Sequence, residues 1–128
     1  MPDWLRDTVA ELPCTRLEDR TAWTAWVLWL TPRPDPKPRD RWFGLLMPHP
    51  DGHPLLTLKG DPEVNLLRDE EFEWMFPGYH LNHRHWLSLD LSHPAFVVDQ
   101  ARALVEDAWD VTVASLPKRV QAPLLSMR

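Results

Sequence analysis

Cysteine, glycine and long apolar runs are all scarce in this chain of 128 residues. Cys14 stands alone, so no intramolecular disulfide can form, and that suits a reducing compartment. Glycine occurs four times and never clusters, which removes a glycine-rich phosphate loop. No apolar stretch reaches the roughly 18–20 residues of a membrane-spanning helix. The opening Met1-Pro2-Asp3-Trp4-Leu5-Arg6 has no basic region followed by an apolar one, so no secretory signal is read there and the cytoplasm is the expected location. Net positive charge is also lacking, the formal charge being −5 at pH 7. Phosphate contacts dominate affinity for nucleic acids, so an acidic chain binds them only through segregated cations.

Tryptophan and proline are abundant, with eight and fourteen copies. A domain of this size cannot hide eight indoles completely; some must cover sheet faces or stay partly exposed, where they can serve recognition. Apolar residues at 44% and charged residues at 26% are ordinary for a globular protein, and the length suits one domain over residues 1–128.

Residues 3–12 read as a short amphipathic helix with Leu5, Val9 and Leu12 on one side, stopped by Pro13. Residues 23–30 fit a strand, cut off by Pro32. Residues 31–41 carry proline at alternate positions together with Arg33, Lys37, Arg39 and Arg41. Such a stretch holds an extended backbone and reads either as a stiff solvated linker or as a basic wing at a hairpin tip. Strands follow at 42–47 and 55–58, around the turn signal Asp51-Gly52. Asp61-Pro62-Glu63 opens a helix running to about Asp69, with Val64 and Leu67 as its apolar side. Alternation predicts strands at 72–76 and 86–91. Ser92 and Pro94 open the longest helix, with a stripe of Val97, Ala101, Leu104, Ala108 and Val111, ended by Pro117; residues 120–128 read as a loose tail. Helices at both ends of an antiparallel set imply an α+β two-layer sandwich with the helices packed on one face.

Little points to catalysis. Cys14 has no identifiable partner base, no serine sits in a nucleophile elbow, and Asp69, Glu70, Glu71 and Glu73 form a run typical of a solvated face. No catalytic residue and no cofactor is expected. His80, His83 and His85 lie close together, with His49 and His53 nearby in sequence. In a hairpin His80 and His83 would diverge while His83 and His85 could share a face, and without a Cys-x-x-Cys or His-Glu-x-x-His no metal site is expected.

Three segments resemble proteins of the MmcQ/YjbR family. They are Thr57-Leu58-Lys59-Gly60-Asp61-Pro62-Glu63, the specific stretch Pro77-Gly78-Tyr79-His80-Leu81-Asn82-His83-Arg84-His85-Trp86, and the run from Ala108-Trp109-Asp110 to Leu116-Pro117-Lys118-Arg119. The departures fall before Leu55, where the Pro-rich loop replaces a tight turn. The resemblance implies a frataxin-like (CyaY-like) α+β sandwich and DNA binding through a double wing.

Within the motif, Gly78 suits a bend and Asn82 a turn in which its side chain bonds the backbone. The motif reads either as a hairpin pinned by aromatics or as a site where His83, Arg84 and His85 meet phosphate while Tyr79 or Trp86 offers a stacking face. Lys59, Lys118 and Arg119 would join that cluster, and Arg33, Lys37, Arg39 and Arg41 would form a second one. The expected function is a DNA-binding accessory or regulatory protein without catalytic activity. The alternative is a protein-interaction module with no nucleic-acid role, favoured by the acidic charge and by aromatics available to a partner. Iron binding in the frataxin manner depends on acidic ridges that the helix carboxylates match only loosely.

Overall fold

Leu5 and Val9 face inward from α1 (Asp3–Glu11), and Leu12 closes that helix beneath the core. This computed structural model describes residues 1–32 and 40–128. After α1 come β1 (Thr15–Arg20), a single 3₁₀ turn (Thr21–Trp23), β2 (Ala25–Leu30), β3 (Arg41–Pro48) and β4 (Pro54–Lys59). Then follow α2 (Pro62–Glu71), β5 (Met75–Pro77), β6 (Trp86–Asp90), α3 (Val98–Ala114) and α4 (Lys118–Met127). The sheet has six strands in the order β1-β2-β3-β4-β6-β5, and every neighbouring pair is antiparallel. The architecture is the expected α+β sandwich.

Strand alternation sends one set of side chains to the helices and the other to the opposite face. Leu28, Leu30, Phe43, Leu56, Leu58, Leu87 and Leu89 meet α1 and α3 in the main core. Ala25, Val27 and Leu45 form a smaller cluster on the far face with Trp29, Trp42, Met47 and Leu81. Between β2 and β3 the pairing jumps from Leu28↔Gly44 to Trp29↔Trp42, so Phe43 is the extra residue of a bulge. The bulge sends Phe43 into the main core while Trp42 stays on the far face.

Several sequence expectations need correction. The edge strand β1 was not foreseen, because Thr15–Arg20 holds one apolar residue, Leu17. The long helix begins at Val98 instead of Ser92. Asp90 accepts the Ser92 N–H at 3.0 Å and His93 Nδ1 accepts the Ala95 N–H at 3.0 Å, so the side chains of Asp90 and His93 build turns ahead of the helix. Val97 is therefore exposed, while Val105, Trp109, Thr112 and Val113 join Ala101, Leu104 and Ala108 on the buried side. Residues 72–76 shorten to the three-residue β5, because the Phe72 N–H still closes α2 on the Arg68 carbonyl. The tail read as loose forms α4, which buries Val120 and Leu124 and is tied to α3 by Arg128 at Asp110 and Glu106.

In α2, Asp61 caps the start as expected, accepting the N–H groups of Glu63 and Val64 at 3.0 and 3.2 Å. Its apolar side is not inward. Val64, Leu66 and Leu67 are 38%, 59% and 62% exposed, and the buried residue of this helix is Asn65.

Candidate nucleic-acid interface

The motif from Pro77 to Trp86 folds as a flap over the far face of the sheet. Gly78 donates its N–H to the Trp86 carbonyl at 2.9 Å, and a Cβ on it would sit 2.7 Å from Trp86 Cβ. Close approach, not positive φ, explains this glycine; the left-handed residue is His80, at φ 60°. Tyr79 donates its N–H to Ser88 Oγ at 2.9 Å, and Ser88 shares a buried 2.6 Å hydrogen bond with Thr57. Leu81 then covers Ala25, Val27 and Leu45. Asn82 Oδ1 turns the chain back by accepting the N–H groups of Arg84 and His85 at 2.9 and 3.2 Å. Much of the motif is thus a folding device.

The structure divides the expected second basic cluster. Lys59 and Trp86 are cross-strand partners, with Nζ 5.8 Å from the indole centroid. Arg84 and His85 stand beside them, their carbonyls accepting from Asn65 Nδ2 at 3.1 Å and from the Gly60 N–H at 3.0 Å. His83, Arg84 and His85 are exposed. His83 and Arg84, however, line a cleft that also holds Glu63 and Asp69 of α2, and these carboxylates oppose a phosphate there. Tyr79 turns elsewhere, against His80 at 4.0 Å and His49 at 5.5 Å. Lys118 and Arg119 open α4, a separate element packed on α3. Of the first cluster, Arg41 is exposed, but its pairing with the core residue Leu30 puts it on the helix side of the sheet, opposite to Trp42. Arg33, Lys37 and Arg39 lie outside the described residues.

A different constellation occupies the other half of that face. Register puts Arg16, Glu18 and Arg20 of β1 opposite Trp29, Val27 and Ala25 of β2. The Arg20 guanidinium lies 4.1 Å from the Trp23 ring, and Arg16 lies 5.0 Å from Trp29. Trp42 meets Trp29 edge-on at 6.1 Å and Trp23 at 5.7 Å. Glu18 anchors the group, accepting from Trp29 Nε1 at 3.1 Å and from Arg20 Nε at 3.0 Å. The Trp29 hydrogen bond, with the Arg20 and Arg16 charges, holds its carboxyl below the usual range. Trp23 remains 45% exposed and Arg16 is exposed. Indole faces held beside guanidinium groups can stack on planar ligands and pair with anions. Sequence reasoning missed Arg16 and Arg20 because it missed β1; the alternation of Arg16, Glu18 and Arg20 against Thr15, Leu17 and Asp19 was the available signal.

The YjbR family model matches residues 14–111. The chain belongs to the YjbR family. It is 38% identical over 72 residues to the uncharacterized protein YbdF of Escherichia coli O157:H7, a match covering 55% of this chain and 57% of that relative. The chain thus spans little more than half of that protein's length. Among solved structures it is similar to the Deinococcus radiodurans protein DR2400, a DUF419 domain, with a TM-score of 0.76 and 24% identity over 94% of this chain and 84% of that one. A protein from Pseudomonas syringae matches with a TM-score of 0.66 and 24% identity over 88% of this chain and 99% of its own. These likenesses establish the fold. No helix among the described residues of this YjbR chain is long and apolar enough to cross a membrane.

Proposed function

We propose that this chain is a non-catalytic accessory or regulatory protein of the cytoplasm that contacts nucleic acid, preferably single-stranded, through the arginine–tryptophan face. The observation that carries the reading is the cluster of Trp23, Trp29 and Trp42 with Arg16 and Arg20 beside two of the rings. Aromatic platforms take unpaired bases by stacking, at about 1–3 kcal/mol per base, and nearby cations follow the phosphates. Rings set at 57° and 82° to one another suit splayed, unstacked bases better than a duplex groove. The resemblance to double-wing proteins is the second support for a nucleic-acid role.

The net charge of −5 makes such binding modest and salt-sensitive. With Arg16 and Arg20 each meeting a phosphate, log affinity should fall against log salt with a slope of roughly −1.4, from about −0.7 per phosphate on single strands. Fluorescence anisotropy with labelled single-stranded and duplex oligonucleotides at low salt tests this. Absence of binding to either form at low salt would remove the proposal.

A protein-docking role is a second reading, favoured by the exposed Val64, Leu66 and Leu67 of α2. Pull-down after nuclease treatment separates the two: partners lost from a Leu66→Ser/Leu67→Ser variant and no retained nucleic acid would favour docking.

A further inference from the structure

The turn between β3 and β4 reads Pro48-His49-Pro50-Asp51-Gly52-His53-Pro54. His49 donates its N–H to the His53 carbonyl at 2.8 Å, and Gly52 donates to the His49 carbonyl at 2.7 Å. Gly52 takes φ 96°, so Pro50, Asp51 and Gly52 form a three-residue hairpin loop with the glycine in the left-handed position that closes it. Proline ahead of Asp51 and glycine behind it restrict the loop before any ligand arrives.

This closure makes His49 and His53 facing neighbours, with rings stacked at 4.6 Å and an interplanar angle of 17°. Asp51 arches over the same side. Its Oδ1 lies 3.1 Å from His49 Nδ1, contacts His53 Nδ1, and accepts the His53 N–H at 3.1 Å. One donor atom from each of the three residues lies within 4.8 Å of the others. A tetrahedral zinc with bonds of about 2.0–2.1 Å needs ligand atoms roughly 3.3 Å apart, a spacing that small side-chain rotations reach.

A further contact favours metal ligation over a simple hydrogen-bonded cap. On the far side of its ring, His53 Nε2 faces Asp90 Oδ2 at 3.9 Å, the place of the outer carboxylate that orients a metal-bound imidazole. The Asp51 N–H approaches His49 Nδ1 at 3.3 Å, a long hydrogen bond to the Nδ1 lone pair that a bound metal ion would replace.

We infer that His49, Asp51 and His53 form a binding site for a divalent transition-metal ion of the zinc type, with solvent completing the coordination. Two imidazoles and one carboxylate suit Zn²⁺, Ni²⁺ or Cu²⁺ and disfavour Mg²⁺ and Ca²⁺, which prefer oxygen. Asp90 is a positioning residue. The site is unrelated to the histidines of the motif and to any acidic helix ridge.

Calorimetric titration of the full chain with Zn²⁺, and separately with Mg²⁺, tests the inference. Saturable binding of one Zn²⁺ per chain is expected. His49→Ala, His53→Ala and Asp51→Asn should each weaken it at least tenfold and Asp90→Asn roughly tenfold, with His83→Ala/His85→Ala unchanged. Because a turn variant can misfold, the wild-type histidine ring signals give a second readout by NMR: Zn²⁺ should move those of His49 and His53. No saturable Zn²⁺ binding, Mg²⁺ binding as tight as Zn²⁺, wild-type affinity in His53→Ala, or shifts confined to His80, His83 and His85 would each overturn it.

Discussion

Asn65 Nδ2 donates to the Arg84 carbonyl at 3.1 Å, joining the one buried residue of α2 to the exposed basic run of the motif. A Cβ at Gly60 would collide with the Asn65 side chain, so the junction Gly60-Asp61-Pro62 and the motif are packed as one unit. Fold-building and surface presentation meet at this contact: α2 turns its apolar residues outward and is held by a polar side chain.

Asn65→Ala should therefore cost about 0.5–1.5 kcal/mol, the net worth of a hydrogen bond that is only partly buried. Chemical denaturation measures it. Gly60→Ala should destabilise through the same residue, and the double variant should cost less than the sum of the two.

Ser88→Ala removes an acceptor from the Tyr79 N–H and a partner from the Thr57 hydroxyl. A loss of about 1–3 kcal/mol is expected, together with faster hydrogen exchange at the Tyr79 amide, because the flap is pinned there. Thr57→Val, which deletes the other hydroxyl and leaves the Tyr79 bond, should leave that exchange rate near wild type.

Leu124 of α4 is fully buried. Leu124→Ala should cost about 2–5 kcal/mol by cavity formation, whereas a loose tail would show no change in thermal or denaturant melting. Arg128→Ala, which releases Asp110 and Glu106 at the surface, should have a far smaller effect.

Glu18 is held ionised by Trp29, with Arg20 and Arg16 also lowering its pKa. A carboxylate whose folded pKa lies below its unfolded value contributes stability above the unfolded pKa and loses it as pH falls through the folded one. The Trp29 indole N–H signal should accordingly titrate below the ordinary glutamate range. Glu18→Gln should abolish that titration and strengthen oligonucleotide binding, since a negative charge leaves the cationic face.

The legible part of this fold was where one physical signal acted alone. Asp61-Pro62-Glu63 marked a helix start and Leu87/Leu89 a strand face, and both appear as read. Where two demands competed, the sequence misled. Near Ser92 the side chains of Asp90 and His93 build turns instead of a helix start, and Val64 and Leu67 have helical spacing but no neighbour to cover them. At the candidate interface Trp23, Trp29 and Trp42 were legible only as strand residues, and Arg16 and Arg20 depend on the pairing of an edge strand almost without apolar residues. His49 and His53 were grouped with the motif histidines; only the hairpin closure reveals Asp51 as their common partner.

The arginine–tryptophan face is tested most directly by the indole N–H signals in a proton–nitrogen correlation spectrum during titration with a single-stranded oligonucleotide at low salt. Signals of Trp23, Trp29 and Trp42 should move, while those of the buried Trp74 and Trp109 should stay. An unchanged spectrum, or shifts confined to Trp86 beside the motif, would contradict the account.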